Sequence, residues 1–564
     1  MQEIELKFLV PESRLKGLMR QANIKSSKVT QLAAHYYDTP DQQLAKAGIG
    51  LRIRREGDAW VQTIKAGGDG IAARLEHNTI LDNDHVQTML DTNTLMPDLS
   101  IYKDTAVAPA LAKFKLKKLA KALTRLYVTD VQRTTRLLVE DIDDETSNSI
   151  EMAYDYGEII HGNDDTQRDV IQEIEFELVT GDLDFLFATA KTWCQRHKLC
   201  LSTVTKAERG GLLIKGKNYS PAVSANLSTL IIDKDSSKPA FIRSVVHNCL
   251  LQILPNSSAI VAGSTDDDHV LQLRNGILRL RTALKVFNRF SDELNPDWSI
   301  ILKQTATLLA DYRKLAYLAS HIEPSLQEHG APSVDWTVEI ASLKVTPIDA
   351  VRANDFQLTL LELIAFTMSD PSLEPQAGKL AANKLTKLLD KRYKKLLKAE
   401  RKLHDVINTK TDSTDLDDVS LDSMSLEDVN LEARDSLSLY TQDLDLQIKY
   451  ENQTHYKLYR QLKKLRYVSE FAAPLINNEK LKNNKLNNKK SKKTSQRFLK
   501  CVIKAQQALG QQLDITCYQY YYQRKARTDA NALYGAGWLN ASLIDAEKKT
   551  KKRLAKLKSA DVFW

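Results

Sequence analysis

Cysteine is scarce in this 564-residue chain: Cys194, Cys200, Cys249, Cys501 and Cys517 are five, an odd number, and sit at no metal-ligand spacing. That argues against a disulfide scaffold and a zinc site, and implies reduced thiols in a cytosolic protein. Long apolar runs are missing too. No stretch suffices to cross a membrane, and charges at positions 3, 5 and 7 exclude a secretory signal there. The expectation is a soluble, cytoplasmic protein with no membrane partner. Nucleic-acid-binding motifs are also absent, so a nucleic acid is an unexpected partner despite the net charge of +8. A hydrophobic content of 43% can fill more than one core, and the length favours about two to four structural units.

What the chain has is charge in strand register. Glu3, Glu5 and Lys7 alternate with Ile4, Leu6 and Phe8, so in a strand all three charges share a face. Arg52 and Arg54 bracket Ile53 with the same spacing, Arg74, Glu76 and Asn78 repeat it, and so do Glu173, Glu175 and Glu177. One such segment is ordinarily a half-buried strand with a wet face. Recurrence of both signs, with Lys65, Arg133 and Asp155 in similar settings, predicts a sheet closed into a barrel around a charged tunnel. Such a lining needs something to bridge it, and a divalent cation with a polyanion would do so.

The ordered set Glu3-x-Glu5-x-Lys7, Leu51-Arg-Ile-Arg54, Thr63-Ile-Lys65, Arg74-Leu-Glu76, Arg133, Asp155-Tyr-Gly157, Glu173-Ile-Glu-Phe-Glu177 and Lys206-Ala-Glu-Arg-Gly210 resembles the CYTH domain of triphosphate tunnel metalloenzymes over residues 1–215. The resemblance implies an antiparallel eight-stranded barrel and metal-dependent triphosphate hydrolysis, as in bacterial inorganic triphosphatases. Guanidinium forks suit paired phosphate oxygens, which selects Arg52, Arg54 and Arg133; ammonium groups act as point charges, which selects Lys7, Lys65 and Lys206. Arg74 joins them as a substrate-binding residue. Water is a poor nucleophile until a metal or carboxylate activates it, and Glu3, Glu5, Glu175 and Glu177 offer hard oxygen ligands. Such ligands suit Mg2+ or Mn2+ better than zinc.

Asp155 completes the expected metal set, and Glu173 is left to orient a lysine. Glu5, Lys65, Glu76 and Arg133 form the expected catalytic group. His35 and His77 are expected to be surface or strand-packing residues. The expected reaction is hydrolysis of inorganic triphosphate to pyrophosphate and orthophosphate. A class IV-type adenylate cyclase or a thiamine triphosphatase on the same barrel would need room for a ring, with Tyr36, Tyr37 and Trp60 as the nearby aromatics. A non-catalytic polyphosphate-binding scaffold is a further reading, against which the candidate metal carboxylates weigh.

After Gly210 the texture changes, through a linker at 216–234, to apolar residues at helical spacing. The fold class expected is α+β multidomain, the barrel being followed by an all-α bundle over 235–564. Val270, Leu273, Ile277, Leu280, Leu284 and Phe287 make one buried stripe beside Arg274, Arg281 and Lys285. Leu458, Leu462 and Leu465 make another, opposite Lys457, Arg460, Lys464 and Tyr467. Lys463-Lys-Leu-Arg-Tyr467, Leu509-Gly510, Asp514 and Leu533-Tyr-Gly-Ala-Gly-Trp538 resemble the CHAD domain, which implies a helical module with a basic surface for long-chain polyphosphate. Leu271 and Tyr456 stand where that pattern has histidine, His455 is one residue out of register, Leu278 replaces an arginine, and Arg313-Lys314 replaces Arg-Asp. The stripe is thus open to polyphosphate binding, to docking of the barrel, or to plain solvation.

Lys379 to Lys402 forms a further basic helical pattern that would attract any polyanion. Residues 412–445 are expected to be an acidic insertion, and 477–493 a basic Asn/Lys-rich loop; the two could attract each other.

Overall fold

The computed structural model describes residues 2–68, 71–141, 147–412, 446–479 and 485–564. The alternating segments are strands: β1 (Gln2–Leu9), β2 (Lys28–Asp38), β3 (Ile49–Glu56), β4 (Ala59–Ala66), β5 (Ala73–Leu81), β6 (Thr124–Asp141), β7 (Ser147–His161) and β8 (Arg168–Thr180). They run antiparallel in the order β5-β4-β3-β2-β6-β7-β8-β1, and β1 pairs back onto β5. The expected eight-stranded barrel is therefore closed. Its seam is shared along β1: Gln2, Glu3 and Ile4 pair with Leu75, Arg74 and Ala73 of β5, whereas Glu5 to Leu9 pair with Glu177 to Glu173 of β8. A two-residue strand, β9 (Cys200–Leu201), adds to the far end of β1.

Alternation decides what the barrel shows to each side. Charged positions turn inward, and apolar ones turn out against helices. Phe8 meets Phe176 edge-on at 5.9 Å, and Phe176 meets Trp193 of the helix Leu183–His197 at 5.5 Å. On β2 to β4, Tyr37, Ile53, Trp60 and Ile64 pack with Val86, Tyr102 and Leu119 from the short helices that follow β5. Each such side chain contributes roughly 1.5–3 kcal/mol by leaving water, so the barrel is stabilised from outside and its interior is left to chemistry.

Two compact units divide the chain. The first comprises Met1–Ala225, Leu250–Gly276 and Ile348–Ser369; the second comprises Asn226–Cys249, Ile277–Pro347 and Asp370–Trp564. Within the first, helical residues finish the rim beside β9: Leu201 N–H donates to Gln357 Oε1 at 2.8 Å, Thr203 N–H donates to Ser258 Oγ at 3.1 Å, and Lys191 pairs with Glu362 at 2.6 Å. The second unit is helical, with Pro296–Tyr317, Ala382–Asp412, Leu446–Glu479, Lys485–Lys525 and Ala532–Lys558 as its long helices.

Both apolar stripes read from the sequence are buried. Tyr467, expected on the basic face, is only 3% exposed and belongs to the core instead. The helix Lys485–Lys525 runs straight through Lys485 to Lys493, where a loop was expected. Lysine is a good helix former, and the segment leads into the buried positions Phe498, Val502, Ala505 and Leu509. Residues 480–484 lie outside the described residues. So does the acidic insertion, except Asp412, which ends its helix. Among the described residues no helix is long and apolar enough to cross a membrane.

Candidate active site in the barrel interior

The barrel encloses a cavity of about 800 Å³ that gathers every site residue expected from its strands: Glu3, Glu5 and Lys7 from β1, Arg52 and Arg54 from β3, Lys65 from β4, Arg74 and Glu76 from β5, Arg133 from β6, Asp155 from β7, Glu175 and Glu177 from β8. Lys206, after β9, lines it too. The charges fall into three groups.

The first group is built around Lys206. Thr205 caps the helix Lys206–Leu213 by accepting from Glu208 N–H, which fixes Lys206 at the helix start. Gly210, one turn on, lies flat against the ring of Tyr127; a Cβ there would come within 2.2 Å of that ring, so only glycine lets the helix approach. Tyr127 Oη donates to Ala207 O at 3.0 Å and completes the clamp. Lys206 Nζ then lies 2.7 Å from Asp155 Oδ2 and 3.0 Å from Glu175 Oε1, and also pairs with Glu173. Arg133, directly across from Asp155 in the β6–β7 ladder, forks onto both Asp155 oxygens at 2.7 and 2.6 Å and reaches Glu175 Oε2 at 2.6 Å. Lys7 adds Glu173 at 3.6 Å and Glu175 at 3.5 Å.

Burial alone would raise Glu175, yet Lys206, Arg133 and Lys7 hold it well below the usual carboxylate range. Asp155 is likewise burdened by burial and lowered by Lys206 and Arg133. Asp155, Glu173 and Glu175 bring carboxylate oxygens within 4.8 Å of one another, a spacing that could hold a cation. Here the cation is the Lys206 ammonium.

The second group has the opposite balance. Glu3 accepts from Lys65 at 2.7 and 2.8 Å, and Lys65 also pairs with Glu76 at 2.8 Å, so one ammonium serves two carboxylates. Glu5 has Arg74 at 3.4 Å and lies opposite Glu177 in the β1–β8 ladder; Glu177 in turn lies opposite Glu151 in the β7–β8 ladder. Burial pushes Glu3 up to about 8 against the pull of Lys65, with Glu76 and Glu5 adding to the rise. Glu177 is pushed up to about 7, by burial and by Glu5, Glu151 and Glu76 against Lys65. Buried carboxylates with too few cations are the expected signature of a site for a hard divalent ion.

The third group is a cationic wall. Arg54 is held by Glu56 at 2.7 Å, and Arg52 donates to Tyr36 Oη at 3.4 Å. Arg52 Nε is buried without a hydrogen-bond partner among the described residues. Burial would raise the Tyr36 phenol, but Arg52, Lys206 and Arg54 bring it below its ordinary value. Such a wall has capacity for an anion. His35 packs near Trp60 at 6.1 Å and His77 edge-on to Tyr102 at 5.8 Å, both as packing residues.

Sequence reasoning passed over Glu151 and Glu56 as members of this lining and named Tyr36 only as a nearby aromatic, although Glu151 is two alternations before Asp155 and would have followed from extending that strand. In the helical region Lys285 and Lys457 are exposed, while Arg274, Arg281, Arg460 and Lys464 are half-buried. Arg279 went unnoticed there: it is 1% exposed, donates to Asn248 Oδ1 at 2.8 Å and lies 5.2 Å over the Phe471 ring, a structural cation rather than a surface one.

This barrel with its tunnel of mixed charge is the architecture of a known class. Residues 1–210 match the CYTH domain family and residues 244–523 the CHAD domain family, so the chain carries a CYTH domain followed by a CHAD domain. Among named relatives, the inorganic triphosphatase of Haemophilus influenzae is 31% identical over 219 residues, which is 38% of this chain and 55% of that protein. The chain thus spans about half the length of that relative. Similar solved structures include the CHAD domain from the plant Ricinus communis (18% identity, TM-score 0.40, covering 60% of this chain and 97% of that one). Another is a putative adenylyl cyclase from Hippeastrum, described as having a dominant triphosphatase activity (16% identity, TM-score 0.28, covering 39% and 98%).

Proposed function

We propose that the barrel hydrolyses inorganic triphosphate to pyrophosphate and orthophosphate with a divalent cation, Mg2+ or Mn2+, held by Glu3, Glu5 and Glu177. The observation that carries this reading is the division of the tunnel's carboxylates into a set saturated by Lys206 and Arg133 and a set short of cations. Asp155 and Glu175, also expected as metal ligands, serve in this reading to fix Lys206 and Arg133. All-oxygen donors at Glu3, Glu5 and Glu177 fit Mg2+ or Mn2+. When bound, such an ion neutralises phosphate oxygens and acidifies water.

The protein's own residues do the rest. Arg52 and Arg54 receive phosphate oxygens as forks, with Arg52 Nε the donor that gains most, while Arg133, its fork already on Asp155, adds positive charge from the wall. Lys7, Lys65, Arg74 and Lys206 hold the chain of phosphates in line and offset the charge that develops as the anhydride bond breaks. Glu76, kept below its usual range by Glu3 and Lys65 despite burial, fixes the Lys65 ammonium. Glu5, whose ion-pair partner is Arg74, keeps lone pairs to orient the attacking water.

An inorganic substrate is favoured over a nucleotide or thiamine ester by the aromatics. Tyr36 and Tyr127 stack on each other at 4.8 Å and are 6% and 5% exposed; Tyr37 borders the cavity but is 3% exposed with its hydroxyl donated to Leu95 O, and Trp60 packs in the core outside the tunnel. None of these rings offers an open plane to a base or thiazolium. In the helical domain, Lys285 and Lys457 are the exposed residues on which an accessory polyphosphate role would rest.

The test is phosphate and pyrophosphate release from tripolyphosphate by the full chain, with and without Mg2+ or Mn2+, beside Glu5→Gln and with ATP as an alternative substrate. Metal-dependent release lost in the variant supports the reading. Cyclic AMP formation from ATP, or turnover unchanged in the variant, would sink it.

A further inference from the structure

A second concavity, of about 540 Å³, lies on the outside of the barrel and takes no part in the tunnel chemistry. It is lined by Arg14 and Arg20 of the helix Glu12–Ala22, Arg136 of β6, and Arg196 and His197 at the end of the helix Leu183–His197. No carboxylate lines it. The helix contributes Ser13 or Arg14, then Gly17, then Arg20 or Gln21, at intervals of three and four residues, so one helical face is committed to the concavity.

Like charges gathered around a hollow repel, and some local explanation is required. Helix C-termini supply part of it: Arg20, Arg196 and His197 sit in last turns, and Arg136 donates to Gln21 O at 2.9 Å. Arg14 has no such excuse, because it lies near the start of its helix, where the dipole disfavours a cation. None of Arg14, Arg20 and Arg196 has an ion-pair partner among the described residues, and all three are exposed. Buried His197 is fixed to Gln21 Oε1 at 2.9 Å and is held below its usual pKa first by burial and then by Arg196 and Arg14.

Gly17 leaves the wall of the hollow open on the helix side. Mid-helix glycine costs roughly 0.5–1 kcal/mol relative to alanine. Nothing lies within 4 Å of where its Cβ would be, so no packing neighbour demands glycine there. What a side chain at 17 would occupy is the hollow itself.

We propose that this outer pocket binds a free condensed phosphate, pyrophosphate or a short polyphosphate, through Arg14, Arg20, Arg136 and Arg196. Several convergent guanidinium groups suit an anion with more than one phosphate. The hollow carries no Phe, Tyr or Trp for stacking a nucleobase, and its one aromatic ring, His197, is buried and tied to Gln21, which favours an inorganic ligand. The inference does not rest on the tunnel's reaction.

The experiment is calorimetric titration of the full chain with pyrophosphate, comparing wild type, the triple variant R14A/R20A/R196A, Gly17→Leu and the tunnel variant R52A/R54A. Gly17→Leu fills the pocket while leaving every charge in place, and it keeps the proposal testable should the triple variant fold poorly. One class of site should weaken by about tenfold or more in the triple variant and in Gly17→Leu, yet persist in R52A/R54A. Tripolyphosphate turnover at saturation should be unchanged in both pocket variants. Pocket variants that titrate like wild type would overturn the assignment. So would loss of binding to vesicles of phosphatidylglycerol with no change toward pyrophosphate, which would make the ligand a lipid headgroup.

Discussion

Two groups of glutamate and aspartate share the same tunnel, on neighbouring strands, and they are in opposite electrostatic states. Around Lys206, three carboxylates receive two lysines and an arginine, and those cations hold Asp155 and Glu175 below their usual range despite burial. Around Glu3, Glu5 and Glu177 the cations run short, and burial drives Glu3 and Glu177 toward the protonated form. A carboxylate in a barrel is therefore defined less by its type than by the cation the chain itself provides. In the proposed reading the cluster with the tighter oxygen geometry is the structural unit, and the poorer one is the candidate for chemistry.

The two groups differ most at Lys206. Lys206→Met leaves Asp155, Glu173 and Glu175 buried without their shared cation and should cost about 3–5 kcal/mol, read as a lowered urea midpoint. Glu177→Gln should do the reverse: stability without metal holds or rises, while tripolyphosphate turnover falls by about a hundredfold or more. An unstable Glu177→Gln protein would erase the distinction. Arg52→Ala should mainly raise KM, by about tenfold, and leave kcat less affected, because Arg52 grips substrate and touches no carboxylate of either set.

Glu3 and Glu177 have folded-state values raised to about 8 and about 7, above those of an unfolded chain, so their contribution is present at low pH and lost as pH rises through those values. His35, lowered to about 4 by burial and Arg125, acts in the opposite direction but only below about 6.5, where the unfolded imidazole would protonate. Between about pH 6.5 and 8.5 the metal-free protein should therefore lose Tm by a few degrees, and Mg2+ should restore it. Thermal scans with chelator and with Mg2+ across that range check this; a flat profile would place Glu3 and Glu177 with the compensated set.

The barrel was legible because strand alternation is local: Glu3-x-Glu5-x-Lys7 declares its face without reference to anything distant. So were the tunnel residues as a set. Their grouping was not legible, since whether Asp155 meets Arg133, or Glu177 meets Glu151, depends on register between strands far apart in sequence. The helix through Lys485 to Lys493 was misjudged as a loop from composition, although its apolar continuation at Phe498 and Val502 keeps helical phase. Buried Arg279 was hidden for a related reason: a cation's place inside a helical bundle is set by an amide and a ring on other helices.

The division of β1 between two partners also bears on how the protein reaches its active form. Its first residues need β5, and the remainder needs β8, which arrives only after nearly all the other strands have been made. Until then Glu5 has no Glu177 across from it. A nascent chain or a partly folded intermediate therefore lacks the proposed metal site, and binding energy from the ion can reward only the closed ring. Divalent cations should speed the escape from unfolding traps little, yet slow the opening of the finished barrel, making metal a lock on the native state rather than a guide toward it.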